Sequence, residues 1–209
     1  DIPEIVDGEF PENYDQGKKV LLLTENRGDF LKKCPGTREY RCCGYQVINV
    51  GMGCPMDCTY CILQAYLNNP YLSFFTNLEA MFDDISTKLS CSNRQVLRVG
   101  TGEFTDSMAL DRLTGLSRKL IHYFARRKNA VLELKTKSAY IENLRNIDHG
   151  GNTIIAWSLN SSEIMEKEEI RTSSLEERLD AALSCASLGY HLAFHFDPVI
   201  CHNGWKDDY

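Results

Sequence analysis

Three cysteines within eight residues are the part of the sequence best suited to chemistry. Cys54, Cys58 and Cys61 are separated by three residues and then by two. Thiolates are soft ligands that suit iron–sulfur clusters or zinc. A closed zinc or cluster site normally has four ligands, and no fourth cysteine lies at a matching spacing. Three ligands on a four-iron cluster would leave one iron open to a ligand from outside the protein.

The same three cysteines have two other interpretations. They could form a structural zinc site that borrows a distant cysteine or histidine as its fourth ligand. Disulfide bonding is disfavoured, because the cysteine count is odd, at nine, and the triplet is too tight to bridge within itself. Nine cysteines without a secretory segment predict a reducing, cytoplasmic location. For Cys34 and the Cys42–Cys43 pair, a second metal site and free thiols near the core both stay open.

The composition limits the class of protein. At 209 residues, with 43% apolar and 25% charged residues, the chain predicts one domain with an appended segment. No apolar run approaches the roughly 20 residues that cross a bilayer, so no membrane association is expected. A net charge of −6 gives no general attraction to nucleic acid. A nucleic-acid substrate would need a local basic patch.

The chain around and after the cysteines alternates between strand and helix patterns. Strands are predicted at residues 45–50, 95–99, 130–137, 152–158 and 190–196, and helices at 78–89, 107–124, 138–144 and 175–186. A short helix is predicted from Phe30, and the charged run 163–171 is predicted to be a solvated loop or helical turn. Such alternation predicts parallel β/α units with right-handed crossovers.

These units predict an α/β fold, specifically a partial (β/α) barrel over residues 45–209. Residues 1–44 are expected to be an N-terminal extension with one short strand, at 18–24. A barrel is favoured over an open doubly wound sheet because candidate functional residues fall at successive strand ends. The pattern stops after about five core strands. The chain is therefore expected to be a fragment, or an open half-barrel that something else closes.

The cysteine spacing, with Tyr60 directly before the last cysteine, resembles the signature of radical S-adenosylmethionine (SAM) enzymes. The resemblance implies a [4Fe–4S] cluster whose open iron is chelated by the amino and carboxylate groups of SAM. It also implies formation of a 5′-deoxyadenosyl radical, with an electron donor such as flavodoxin or ferredoxin as partner. Nothing in the residues predicts the oligomeric state.

Polar residues at successive strand ends would suit the cofactor of such an enzyme. Glu103 can accept hydrogen bonds from the ammonium group of the cofactor, and Lys137 can meet its carboxylate. Ser158 and Asn160 can bond its ribose hydroxyls or carboxylate oxygens. Any one of them alone is weak evidence, because a polar residue after a strand is often a cap for the next helix. Their recurrence at one end of the sheet predicts a cofactor site there.

A closer resemblance covers roughly residues 18–209. Stretches 53–64, 136–137, 158–160, 172–179 and 196–205 resemble the spore photoproduct lyase family in order and spacing. That family consists of radical SAM enzymes that split a thymine dimer in DNA. The resemblance implies that Cys54, Cys58 and Cys61 hold the cluster. It implies that Lys137 and Ser158 contact the cofactor, and that Thr105 matches a serine that does so.

The sequence departs from this family at two positions. The family cysteine that returns a hydrogen atom to the thymine radical is matched by Glu103, and the relay tyrosine after the third cluster cysteine is matched by Ile62. The other relay tyrosine is kept as Tyr60. DNA dimer repair is the best single substrate hypothesis. The alternatives are a radical reaction on a peptide, nucleotide or small metabolite, and a non-catalytic metal-binding module.

Another thiol could take the place of the missing hydrogen donor. Glu103 cannot donate a hydrogen atom as a thiol does, because its O–H bond is far stronger and its carboxyl group is ionised at neutral pH. Cys201 follows the fifth predicted strand by a few residues and is expected at the same end of the sheet. The hypothesis is that Cys201 is the donor. The alternative is an ordinary loop thiol.

Overall fold

The computed structural model describes residues 5–36, 39, 43–91 and 96–209. In chain order its strands β1 to β11 are Leu21–Thr24, Leu31–Lys33, Gln46–Ile48, Gly51–Met52, Asp57–Cys58, Leu72–Phe75, Leu97–Gly100, Ala130–Thr136, Thr153–Leu159, Glu169–Ile170 and His191–Phe196. Its helices α1 to α8 are Tyr14–Gly17, Leu63–Tyr66, Leu78–Ser90, Asp111–Thr114, Leu116–Phe124, Ser162–Glu168, Leu175–Ser187 and Trp205–Asp208. None of these helices is long and apolar enough to cross a membrane.

Six strands form the main sheet, in the order β11-β9-β8-β7-β3-β2. The pairings from β3 through β7, β8 and β9 to β11 are all parallel, and only β2 is antiparallel to its neighbour. The predicted α/β fold is therefore confirmed, with five parallel strands. Within the described residues the sheet is open, with β11 and β2 at its edges. The carboxyl ends of the parallel strands lie along one edge of the sheet, and this edge faces the cysteines.

The core lies between the sheet and its helices. Leu132 and Leu134 of β8, like Trp157 of β9, are fully buried. Helix α5 packs on β8 and buries Leu120 and Phe124. Because side chains alternate along a strand, the residues between these apolar ones project from the opposite face. That face supplies the charged side chains of the site.

Two predicted helices differ from the structure. The helix predicted over 107–124 is divided at Gly115, which has φ +58, because Asp111 accepts the Ser117 N–H at 2.7 Å and starts a new helix there. The helix predicted over 138–144 is reduced to a 3₁₀ turn at Glu142–Leu144. The Ser138 hydroxyl accepts the Tyr140 N–H at 3.1 Å, and such local bonds compete with helix formation.

Three further predictions differ from the structure. The segment beginning at Phe30 is followed by strand β2 rather than a helix, since Leu31 pairs with Ile48. The run 163–171 contains the predicted helical turn, as α6, but it also forms β10 and buries Glu169, so it is not wholly solvated. In the predicted helix 175–186, helical spacing places Leu179 and Leu183 on the apolar stripe, but both are exposed in α7. The helix instead buries Ala181, Ala182 and Cys185.

Two smaller sheets hold the segment that carries the cysteines. Strands β1, β6 and β4 form a three-stranded sheet, and β5 pairs antiparallel with β10. The predicted N-terminal extension of residues 1–44 thus contributes two strands rather than one, β1 to this sheet and β2 to the main sheet. The division of the chain at residue 44 stays a prediction.

Asn152 ties the start of β8 to the end of α5. Its side-chain amide donates to the carbonyl oxygens of Phe124 at 2.7 Å, Arg127 at 3.0 Å and Ala130 at 2.7 Å. We expect Asn152→Ala to lower the free energy of unfolding by about 2 kcal/mol, because several half-buried carbonyls lose a donor. Urea denaturation measures this. An unchanged midpoint would show that water replaces the amide without cost.

Candidate active site

The cysteine loop, residues 53–61, connects β4 to α2 across the edge of the main sheet. Gly53 begins it with φ +85, and its N–H donates to the Phe104 carbonyl at 3.0 Å. Cys58 lies on β5, and the Cys61 N–H donates to the Cys58 carbonyl at 3.0 Å. The loop is therefore fixed at its start and along its length by backbone hydrogen bonds.

The donor set around the three thiols fits a cluster better than a zinc ion. Among the described residues, the cavity that Cys54, Cys58 and Cys61 line contains no histidine and no fourth cysteine. A structural zinc site normally takes four cysteine or histidine ligands. In a multi-iron cluster each cysteine binds a different iron, so three thiols can hold it and leave one iron open.

Burial raises the pKa of Cys54 to about 12 and that of Cys58 to about 11. Burial is also the main cause that raises the pKa of Tyr14, on the N-terminal side of the loop, to about 12, and the charges of Cys61 and Cys54 add to it. Thiolates at these positions therefore need a compensating cation. A metal centre supplies that charge, since metal binding to thiols displaces their protons.

A cavity of about 400 Å³ lies between the cysteine loop and the carboxyl ends of the parallel strands. Its lining brings together most of the predicted site residues, namely Cys54, Cys58, Tyr60, Cys61, Glu103, Thr105, Lys137 and Ser158. These residues come from four separate segments of the chain. The expectation that polar strand ends meet near the cysteines therefore matches the geometry.

Glu169 links the cysteine loop to the strand ends. Its Oε1 accepts the Tyr60 hydroxyl and lies 3.5 Å from the Lys137 Nζ. Its Oε2 accepts a hydrogen bond from Arg178 Nη2 at 2.7 Å, and both side chains are fully buried. Arg178 Nη1 also donates to the Ser158 carbonyl at 2.7 Å. One buried ion pair thus fixes Tyr60, Lys137 and the end of β9 relative to one another.

The environment of Tyr60 keeps its phenol protonated. Burial, followed by the hydrogen bond to Glu169, raises the pKa of Tyr60 well above its usual value. The Tyr60 ring also lies 5.8 Å from the Lys137 ammonium group. The phenol therefore keeps its proton and donates a hydrogen bond to the Glu169 carboxylate.

Asp106 organises the loop between β7 and α4. Its Oδ1 accepts the N–H groups of Met108 at 2.9 Å and Ala109 at 2.8 Å, and the Thr136 hydroxyl at 2.7 Å. Its Oδ2 accepts the Lys137 N–H at 2.8 Å. Asp106 therefore fixes the backbone at Lys137, and its carboxylate is already fully engaged.

Two predicted site residues lie outside the cavity lining. The Asn160 amide donates to the Pro198 carbonyl at 3.0 Å, and its carbonyl oxygen accepts the Tyr209 hydroxyl. Asn160 is therefore occupied in tying β9 to the segment after β11. Cys201 is exposed and does not line the cavity. This placement does not support Cys201 as the hydrogen donor, because the chain turns away from the cavity after Pro198.

The remaining cysteines of the N-terminal region lie away from the cysteine loop. Cys34 is half-buried, and its N–H donates to the Tyr45 carbonyl at 3.0 Å. Cys43 is exposed, with its Sγ 3.4 Å from Arg98 Nη2. Cys42 lies outside the described residues. The choice between a second metal site and ordinary thiols stays open for all three.

The sequence interpretation missed several residues of the site. Lys135 and Asp106 both line the cavity, and Glu169 and Arg178 support it from behind. Side chains alternate along a strand, so residues 133, 135 and 137 of the predicted strand 130–137 share one face. This rule, applied to Lys137, would have predicted Lys135 as a site residue too. No local pattern signals Glu169, which lies in a run of charged residues.

Comparison with known proteins decides the family. A model of the family described as spore photoproduct lyase matches residues 11–209. The chain belongs to the spore photoproduct lyase family. A spore photoproduct lyase from Clostridium acetobutylicum is 25% identical over 199 residues, covering 95% of this chain and 57% of the relative. One from Geobacillus sp. is 30% identical over 197 residues, covering 94% of this chain and 56% of the relative.

Solved spore photoproduct lyase structures share the fold. A double mutant with bound AdoMet and dinucleoside spore photoproduct superimposes with a TM-score of 0.90 at 27% identity. A complex with dinucleoside spore photoproduct gives 0.89 at 26% identity. Each comparison covers all of this chain and 60% of the solved chain. The chain thus spans somewhat more than half the length of the spore photoproduct lyases it matches.

The departures from the spore photoproduct lyase pattern lie within the cavity. Glu103 and Ile62 both line it, and the Ile62 side chain is 72% exposed. A carboxylate and an aliphatic side chain thus stand at the positions that the resemblance assigns to the donor cysteine and to one relay tyrosine.

Proposed function

We propose that this chain binds a [4Fe–4S] cluster through Cys54, Cys58 and Cys61 and uses it with S-adenosylmethionine in radical catalysis. One observation carries the proposal. Three thiols line a single cavity with Lys137, Glu103 and Ser158, and among the described residues that lining offers no histidine or fourth cysteine. Membership of the spore photoproduct lyase family supports the same chemistry. The open sheet would be part of a (β/α) barrel of the radical SAM type.

The cavity residues would divide the cofactor contacts by charge. Lys137 would bind the carboxylate of the methionine moiety, and Glu103 would bind its ammonium group. Ser158 and Thr105 would bond its hydroxyl or carboxylate oxygens. Asn160, whose amide already bonds Pro198 and Tyr209, would act on these contacts by fixing the end of β9.

Cys54, Cys58 and Cys61 would hold the cluster, and when bound it would supply the electron for reductive cleavage of SAM and so for radical chemistry on the substrate. The chain's own residues orient the reactants and exclude water. Glu169 holds the Tyr60 phenol through a hydrogen bond at Oε1. Arg178 pairs with Oε2 of the same carboxylate and so keeps Glu169 in the position that orients Tyr60.

The proposed substrate is DNA carrying the spore photoproduct, as the names of the relatives indicate. A second candidate is a radical reaction on a peptide, nucleotide or small metabolite. Glu103 and Ile62 in the cavity favour this candidate, because neither can serve as a thiol donor or as a relay tyrosine. A flavodoxin or ferredoxin would supply the electron. The exposed and half-buried thiols suit a reducing, cytoplasmic location.

Product analysis tests the function and separates the two candidates. Protein reconstituted anaerobically with iron and sulfide is incubated with dithionite, SAM and an oligonucleotide that carries the spore photoproduct. Restoration of two thymines supports DNA repair, whether 5′-deoxyadenosine accumulates or SAM is re-formed. Formation of 5′-deoxyadenosine with an unchanged oligonucleotide supports the second candidate. A loaded cluster that yields neither restored thymines nor 5′-deoxyadenosine would refute both.

The cofactor contacts can be tested separately from turnover. We expect Lys137→Ala and Ser158→Ala each to weaken SAM binding by about 1–3 kcal/mol, because each removes a buried or charge-assisted hydrogen bond. Calorimetry on the cluster-loaded protein measures the affinity. Lys119→Ala, on the exposed face of α5, is the control and should bind SAM as the wild type does. Unaltered affinity in both cavity variants would contradict the assignment.

A further inference from the structure

The cysteine loop is held from outside by a buried lysine of the N-terminal segment. The Lys18 ammonium group donates to the Met56 carbonyl at 2.7 Å and to Asp57 Oδ1. The Lys18 side chain is only 3% exposed, and its ammonium lies 4.5 Å from the centre of the Tyr14 ring. Both acceptors lie between Cys54 and Cys58. Lys18 thus bonds the loop at two of the three residues between Cys54 and Cys58.

A second cation, Arg171, pairs with the same Asp57 carboxylate. Arg171 Nη1 lies 2.9 Å from Asp57 Oδ2, so each oxygen of this carboxylate has its own cation. Arg171 has φ +60, a left-handed conformation that is strained for a residue with a Cβ atom. Strained backbone of this kind persists where surrounding contacts hold it, often beside functional sites. The ion pair with Asp57 is such a contact.

The N-terminal segment that carries Lys18 is fixed by close packing before this residue and by strand pairing after it. At Gly17 it approaches Pro70 so closely that a Cβ atom there would lie 2.2 Å from the Pro70 Cβ. Directly afterwards β1 pairs with β6 over four residues, and β6 pairs with β4, which leads into the cysteine loop. Lys18 therefore projects from a segment fixed on both sides.

From this geometry we propose that Lys18 is a positioning residue for the iron–sulfur cluster, acting on Cys54 and Cys58 through Asp57 and the Met56 carbonyl. The inference rests on the cluster proposed above. Lys18 does not contact the thiols in the way a ligand would. Instead it holds the loop in the conformation that positions Cys54 and Cys58 for the cluster. Arg171 contributes by pairing with the second carboxylate oxygen of Asp57.

Iron release from the loaded protein tests this without requiring turnover. Anaerobically reconstituted protein is mixed with a ferrous-iron chelator, and the decay of cluster absorbance gives a rate. We expect Lys18→Met to release iron about tenfold faster than the wild type, the usual effect of removing a partner that orients metal ligands. Asp57→Asn should accelerate release similarly. Lys18→Arg, which keeps the charge and can reach both acceptors, should restore most of the retention.

Two controls separate positioning from a general loss of stability. Lys19→Met changes the exposed neighbour of Lys18 and should retain iron as the wild type does. Asn152→Ala lowers global stability far from the loop and should leave the release rate unchanged. The double variant Lys18→Met with Asp57→Asn should accelerate release by less than the product of the two single effects, because both substitutions break the shared contact between Lys18 and Asp57.

The outcomes distinguish this inference from the cluster itself. Equal release rates in wild type and Lys18→Met would refute the role of Lys18 and leave the cluster intact. If Asn152→Ala accelerated iron release as much as Lys18→Met, the role of Lys18 would also be refuted, because the release rate would then depend on global stability. If Lys18→Met does not fold, Lys18→Arg and Asp57→Asn decide the matter. A wild-type protein that takes up no iron would instead refute the cluster.

Discussion

Replacing Cys54, Cys58 or Cys61 individually with alanine is expected to abolish the four-iron cluster and all reductive cleavage of SAM. In the proposed assignment each thiolate is one of only three protein ligands, and among the described residues the cavity offers no other cysteine that could substitute. Iron and sulfide analysis after anaerobic reconstitution measures cluster content. Formation of 5′-deoxyadenosine measures cleavage.

The other cysteines of the chain provide matched controls for this experiment. Cys43→Ala removes an exposed thiol, and Cys34→Ala removes a half-buried one, both away from the cysteine loop. Each should retain full iron content and cleavage. Iron that survives loss of any cysteine in the loop, or that disappears with Cys43, would contradict the ligand assignment.

Replacing Arg178 with methionine is expected to lower the free energy of unfolding by about 3–5 kcal/mol. The substitution leaves Glu169 as an uncompensated carboxylate in a site where both side chains are fully buried, and that is the costly way to break a buried ion pair. It also removes a donor from the carbonyls of Ser158 and Ser173. Urea denaturation of the metal-free protein measures the loss.

An exposed arginine provides the comparison for Arg178. Arg118→Met removes only a hydrogen bond to the Arg145 carbonyl, at 3.2 Å, from the surface of α5. It should change the free energy of unfolding by no more than about 0.5 kcal/mol. If Arg178→Met were as mild as Arg118→Met, the ion pair would not be the link between the cysteine loop and the strand ends.

Much of the fold is predictable because hydrophobic patterns report burial directly. Strands such as 130–137 and 152–158 are apolar on the face that packs under the helices, and their spacing predicts parallel units. The start of α7 is likewise marked by a local signal, since a serine followed three residues later by a glutamate is typical of a capping box, and Ser174 and Glu177 form one. The division at Gly115 was not predictable by this route, because an apolar pattern continues across it.

The site is only partly predictable because some of its residues act through long-range contacts. The cysteines and the polar strand ends are found from spacing and from the rule that sites form at strand ends. Glu169 and Lys18 are not, since a buried charge looks the same in sequence as a solvated one. Asn160 and Cys201 show the opposite case. Their positions after strands suggested the cavity, yet neither belongs to its lining: Asn160 bonds Pro198 and Tyr209 and lies behind Tyr60, and Cys201 is exposed.

The central claim, a cluster held by three cysteines with one iron open to SAM, is tested most directly by electron paramagnetic resonance. The reconstituted protein is reduced with dithionite, and its spectrum is recorded before and after addition of SAM. The account predicts the signal of a reduced four-iron cluster that changes shape when SAM is added, because the cofactor becomes a ligand of the open iron. A colourless zinc protein, or a cluster signal that SAM leaves unaltered, would contradict it.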